Sequence, residues 1–185
     1  MILLHTIGKN KGKILLCCCL LAGLTGTAFA AAPEPVTEVH PAVSFSQDVQ
    51  PAISASSIHY DEQAGRYICH GNVRISLGDR LIMADEAQLT SDLSSIWTQG
   101  NARLIEGENI FNSEAIYARP NDDTAYFFGE RCKLKRPGLA IASDSIEYRW
   151  QEKTASFDGH VLFIDSDGEK VAAHLEYDFN KNKAS

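Results

Sequence analysis

Gly71-Asn72-Val73-Arg74-Ile75-Ser76-Leu77 decides the fold because it does not stand alone. Gly100-Asn101-Ala102-Arg103-Leu104, Gly129-Glu130-Arg131-Cys132-Lys133-Leu134 and Gly159-His160-Val161-Leu162-Phe163 repeat it, with intervals of 29, 29 and 30 residues between glycines. A period of this size marks a stacked or winding repeat in which no unit buries its apolar face alone. A second landmark keeps step. Ile58-His59-Tyr60-Asp61 returns as Ala87-Gln88-Leu89, Ala115-Ile116-Tyr117, Ile146-Glu147-Tyr148 and Leu175-Glu176-Tyr177-Asp178.

Within each repeat the apolar residues alternate. Tyr67, Cys69, Gly71, Val73, Ile75 and Leu77 share one parity, and Ile68, His70, Asn72, Arg74 and Ser76 the other. That is the two-residue period of a half-buried β-strand. Ile96, Thr98, Gly100, Ala102 and Leu104 continue it, as do Ala155, Phe157, Gly159, Val161 and Phe163. In the third repeat Ala125, Phe127 and Gly129 are followed by a slip of one residue to Cys132 and Leu134, which predicts a β-bulge. Turn residues separate the strands, as in Gly78-Asp79, Arg136-Pro137-Gly138 and Asp165-Ser166-Asp167-Gly168. The pattern predicts about nine long strands. A glycine in mid-strand marks a bend, so each strand is expected to fold over at the same height. Sheets bent in register make a V-shaped, open-edged jelly roll.

The 185 residues suffice for one domain with a core. Residues 1–30 read as a secretory signal peptide: Lys9, Lys11 and Lys13, an apolar run from Ile14 to Leu24, then Ala28-Phe29-Ala30. The run is short for a membrane anchor. Leu16 before Cys17 argues against lipidation of that cysteine. Residues 31–51, with Pro33, Pro35, Pro41 and Pro51, read as a flexible leader. The folded domain is expected over 52–180, with a short tail at 181–185. Without the signal segment the charged residues number 24 acidic against 17 − 3 = 14 basic, a net of −10. Such a surface makes nucleic acid a poor partner. Cys69 and Cys132 then remain outside the signal. Two rungs of sheet put them about 9–10 Å apart, beyond disulfide reach, so they are expected as small buried hydrophobes.

These repeats resemble the OstA-like family, the periplasmic lipopolysaccharide-transport proteins of the LptA type. The resemblance rests on Ala84-Asp85-Glu86-Ala87, Tyr60-Asp61 with Gly65, and Gly71-Asn72-Val73. Later copies are looser: Asn112-Ser113 stands for Ala-Asp, and Gly129-Glu130 and Gly159-His160 for Gly-Asn. The resemblance implies an all-β, repeat-built OstA-like jelly roll whose apolar cleft shields lipopolysaccharide acyl chains between inner and outer membranes. It also implies periplasmic localisation, head-to-tail homo-oligomers, and contacts with inner- and outer-membrane transport proteins through edge strands. The same domain occurs in those membrane partners; the free periplasmic bridge fits this sequence best. The inward residues Tyr60, Tyr67, Val73, Ile75, Leu89, Leu104, Tyr117, Phe127, Leu134, Tyr148, Phe157, Val161, Phe163 and Tyr177 are then the candidate lipid contacts. Read from the pattern alone, the same residues are simply core.

No catalytic constellation is legible. The histidines take polar parity or lie in the leader, and no serine has a Gly-x-Ser-x-Gly setting. Acid pairs such as Asp122-Asp123 lie in turns, where local hydrogen bonding explains them. Neither a metal nor a cofactor is expected. Arg131, Lys133, Lys135 and Arg136 form one dense basic strand, either a solvated outer face or a phosphate contact at the cleft rim. Two other readings stay open: an exported structural scaffold, and a β-helical polysaccharide-active enzyme. The enzyme needs a carboxylate cluster in register on one face, which the outward positions lack.

Overall fold

The computed structural model describes residues 2–4 and 51–185. The expected signal segment and leader therefore lie outside the described residues, apart from Ile2–Leu4 and Pro51. All strand pairings are antiparallel and join one sheet. In chain order the strands are β1 (Ile2–Leu4), β2 (Ala52–Ala55), β3 (Ser57–Asp61), β4 (Arg66–Leu77), β5 (Arg80–Thr90), β6 (Ile96–Glu106) and β7 (Asn109–Arg119). They continue as β8 (Thr124–Phe128), β9 (Cys132–Arg136), β10 (Leu139–Ser143), β11 (Ser145–Arg149), β12 (Thr154–Asp165), β13 (Gly168–Asp178) and β14 (Lys183–Ala184).

Three of the long strands are interrupted. β2 and β3 break at Ser56, β8 and β9 at Gly129–Arg131, and β10 and β11 at Asp144. Joined across these breaks, β2 to β13 are nine long strands in an up-and-down meander. Each is bent, and the bends align. Two residues on one strand face one on the next: Gly71-Asn72 opposite Asp85 and Gly159-His160 opposite Ala173. The third repeat carries the extra residue its sequence slip predicts: residues 129–132 face only 113–114 on β7. The bulge needs left-handed backbone at two successive positions. Gly71 and Asn72 have φ of +73° and +51°, Gly100 and Asn101 +77° and +48°, Gly159 and His160 +74° and +43°. Glycine enters that region freely and asparagine better than most residues, which is why the Gly-Asn pair recurs.

The bends divide the sheet into two arms. The first holds β3, β8, β11 and β14; the second holds β1, β2, β9 and β10. The long strands β4, β5, β6, β7, β12 and β13 run through both. Because β7 and β12 span both arms, the pairings β7–β8–β11–β12–β10–β9–β7 close a ring. The arms fold over so that their apolar faces meet, giving a V-shaped β-jelly roll. In the first arm the ladder aligns Tyr67, Leu89, Ile96, Ala118, Ala125, Tyr148, Ala155 and Tyr177. In the second it aligns Ile53, Ile75, Ile82, Leu104, Phe111, Leu134, Ile141 and Phe163. Phe111 of the second arm stacks on Tyr148 of the first, with centroids 4.7 Å apart. Each side chain of this size, fully buried, stabilises by about 1.5–3 kcal/mol.

Two expectations need correction. Tyr117 does not point inward. It pairs with Trp97 and Tyr126 on the outer face, while Ile116 and Ala118 are buried. The 29-residue step from Leu89 reaches Ala118, and the bulge has shifted the parity of β7 by one. The short tail at 181–185 is instead part of the sheet: Lys183–Ala184 pair with Tyr177–Asp178, and Ser185 exchanges two backbone hydrogen bonds with Glu176.

Candidate functional site

The candidate site is the space between the arms. Of the inward residues named from sequence, Val73, Ile75, Leu89, Leu104, Phe127, Leu134, Tyr148, Phe157, Val161, Phe163 and Tyr177 are buried there. Tyr67 is half-buried against the same core. Tyr60 lies on the inward side but at the edge, 38% exposed, its ring 4.9 Å from that of Tyr67. The middle strands fill the space with side chains, Phe111 lying 5.0 Å from Phe127 as well as against Tyr148.

The interior opens at the last strand. From Gly168 to His174 β13 is exposed on both faces, with Val171 at 80%. There a cavity of about 480 Å³ lies between the arms, lined by Leu139, Phe163, Leu175 and Tyr177 together with Asp165, Lys170 and Lys183. The first and last strands differ from simple open edges. β2 carries β1 on its outer side, and β14 covers the end of β13, which among the described residues leaves one edge of β3 and of the Gly168–His174 half of β13 free.

One polar row runs along the inner face at the tip of the second arm, where the ladder aligns Arg80, Glu106 and Asn109, and Arg136 follows the last β7–β9 pair, Ile110 with Lys135. Glu106 is 5% exposed and ties the arms together. Tyr148 of the first arm donates its hydroxyl to Glu106 Oε2, and Lys153 Nζ lies 2.8 Å from Oε1. Arg80 Nε is also 2.8 Å from Oε1, in charge contact although its N–H is not aimed at the oxygen, and its guanidinium lies 5.0 Å over Trp150. Burial, then the carboxylate it donates to, push the Tyr148 hydroxyl well above the ordinary phenol range. Strict alternation from Ala102 and Leu104 carries Glu106 to the inward face.

The basic strand separates by parity. Lys133 and Lys135 face outward, and Arg131 donates to the His160 carbonyl at 3.1 Å. Arg136 turns inward, 5.7 Å over the Phe179 ring, and its Nη1 is buried without a partner among the described residues, like Asn109 Oδ1 beside it. Cys69 and Cys132 are free and fully buried, and burial pushes both thiols up to about 11. Among the described residues no three His, Cys, Asp or Glu side chains gather as a metal site needs.

A family model described as LptA/(LptD N-terminal domain) LPS transport protein matches residues 52–183. The chain belongs to this family. Among solved structures it is similar to LptH, the LptA-homologous periplasmic component of the lipopolysaccharide transport device of Pseudomonas aeruginosa. The TM-score is 0.55 at 13% identity, over 60% of this chain and 82% of that one. At that identity the likeness concerns the fold. No curated protein matches this LptA/LptD-type chain by sequence.

Proposed function

We propose that this chain is a periplasmic lipopolysaccharide carrier that shields acyl chains between its arms during passage from inner to outer membrane. The observation that carries the reading is an apolar interior running from Tyr67 to Phe163 and ending in an open cavity beside β13. An acidic protein has little Coulombic attraction for an anionic lipid, so binding draws on apolar burial, at about 25 cal/mol per Å². Family membership supplies the ligand class. Among the described residues the exposed half of β13 offers unpaired backbone groups, as does β2 once residues 1–30 have been removed by export. These edges suit head-to-tail stacking of copies and docking of inner- and outer-membrane transport proteins.

A structural scaffold is the second reading, favoured by the complete packing of the middle strands. One experiment separates the two. A photo-crosslinking residue at Phe163, which borders the cavity, should capture lipopolysaccharide in the envelope. The same residue at Arg103, exposed and bonded to Asn112, should not. Equal capture at both positions, or none at either, rejects the carrier.

A further inference from the structure

The outer face of the second arm mixes cations with aliphatic side chains. Ladder pairing aligns Arg74, Met83, Arg103, Asn112 and Lys133 in one row, which runs on through Leu162 to Val171. The row beside it aligns Leu81, Ile105, Ile110 and Lys135 and reaches Ile164. Their chain neighbours, such as Ile82, Leu104 and Leu134, are buried in the core, so both rows point to solvent. Arg74, Arg103, Lys133 and Lys135 are exposed. Among the described residues none of the four enters an ion pair, and Arg103 donates to the neutral Asn112 at 2.9 Å. Leu81, Ile105 and Ile110 half emerge between them, while Ile164 is 40% and Val171 80% exposed. In a chain of formal net charge −7, the two rows hold these four cations and one acid, Glu169, opposite Ile164 at the far end. The other acids stand around the face, Asp85, Glu114, Glu130 and Asp144 at the bend, Asp79 and Glu108 at the hairpin tips. Asp85 is bonded to Asn101, Asp144 to His160 and Asp79 to Arg80.

These cations are spread and do not converge. Arg74, Arg103 and the two lysines sit on β4, β6 and β9, each separated from the next by one strand, so successive charges stand about 9–10 Å apart. That spacing fits a plane of negative charge and not a single phosphate. Aliphatic side chains among the cations add the second requirement of a lipid surface, apolar area that leaves water on contact. We infer that the outer face of the second arm docks flat on an anionic phospholipid bilayer. Its arginines and lysines lie among the headgroup phosphates, and Ile164 and Val171 reach the acyl boundary. The docking face is opposite the interior, so the contact neither requires nor blocks carriage of lipid between the arms. Phospholipid, not lipopolysaccharide, then lies against Arg103 in the envelope.

The test is co-sedimentation of the envelope-purified protein with two kinds of vesicle, phosphatidylcholine alone and phosphatidylcholine with phosphatidylglycerol in equal parts. Wild type should bind the mixed vesicles, release them as salt is raised, and leave the neutral ones in solution. Lys133→Gln/Lys135→Gln should bind the mixed vesicles about thirtyfold more weakly, the scale of two cations lost from an anionic surface. Arg66→Gln/Arg119→Gln removes the same charge from exposed positions on the first arm and should bind as wild type does. An equal loss in the two variants would reduce the effect to net charge and overturn the docking face. So would unaltered binding by the Lys133/Lys135 variant, equal binding to both kinds of vesicle, or binding to neither. If the Lys133/Lys135 variant instead loses self-association in light scattering without vesicles and keeps its vesicle affinity, the face is a contact between copies and the inference falls. None of these outcomes touches lipid carriage, which the crosslink at Phe163 decides separately.

Discussion

Gly100 carries two constraints at once. Its φ of +77° lies in the left-handed region, and a Cβ placed there meets Asp85 Oδ2 at 2.6 Å and Asp85 Cβ at 2.9 Å. The crowding is part of the bend, because Asp85 accepts a 2.7 Å hydrogen bond from Asn101 Nδ2. The same relation recurs fifteen positions apart, with Ser56 over Gly71, Glu114 over Gly129 and Asp144 over Gly159. Gly100→Ala should therefore destabilise by about 1–3 kcal/mol in denaturant titration. Gly78 provides the control. It has φ of +64° with nothing within 4 Å, so Gly78→Ala meets the backbone penalty alone, about 1–2 kcal/mol. Equal losses at the two sites would mean that Asp85 moves aside freely and that the acid-over-glycine contact contributes nothing to the bend.

The C-terminal hairpin is an element held by one carboxylate. Asp178 Oδ1 accepts from the backbone N–H of Asn180 and Lys181, each at 3.0 Å, and Lys181 Nζ lies 2.8 Å from Oδ2. The Lys181 ammonium, then these N–H groups, hold the Asp178 carboxyl below its ordinary value. A depressed carboxylate contributes stability that is present above its unfolded pKa, about 4, and lost as pH falls through the folded value. Acidification should then release β14 before the core: protection of the Ser185 amide, bound to Glu176, should fall while that of β6 persists. Asp178→Asn should reproduce part of this loss at neutral pH. Loss of protection in β6 together with Ser185 would show instead that the hairpin unfolds only with the whole domain. This element also marks where sequence reading stops. The long strands were legible because alternation and the glycine beat repeat over many residues, and two landmarks agreed on the period. A two-residue strand has no period to read. Tyr117 was misplaced for a related reason: at each bulge one strand keeps its alternation while its neighbour skips a residue, and only pairing reveals which one skips. Apolar positions such as Leu104, Phe127 and Phe157 were legible by parity, whereas Arg136, polar and next to Pro137-Gly138, reads as a turn residue and only the structure turns it inward. That Glu106 would meet Tyr148 and Lys153 was not legible either, because those contacts cross between arms 42 and 47 residues apart in sequence.

At the scale of the whole molecule, the two arms must stay together in water and yet admit an amphiphile between them. Apolar contact such as that of Phe111 with Tyr148 favours closure without fixing how one arm sits on the other. The Glu106 cluster supplies direction, because its carboxylate reaches Tyr148 and Lys153 across the mouth while Arg80 holds it from its own arm. A buried ion pair is weak evidence for stability, since desolvation offsets much of the attraction, but removing one partner strands the other charges. Glu106→Leu should accordingly cost about 3–5 kcal/mol, leaving Lys153 uncompensated, Arg80 with Asp79 alone and the Tyr148 hydroxyl without an acceptor. Lys153→Met should cost less, since its ammonium is already a third exposed. If the two groups act across the mouth, the double variant Glu106→Leu/Lys153→Met should be more stable than the sum of the single losses predicts, by about 0.5–3 kcal/mol. Chemical denaturation of the four proteins measures that coupling. Hydrogen exchange at Tyr148 and at Glu106 locates it, because a clasp between arms protects both together. Strict additivity of the two substitutions, with protection at the two sites changing independently, would reduce the cluster to separate surface contacts and leave apolar packing alone to hold the V closed.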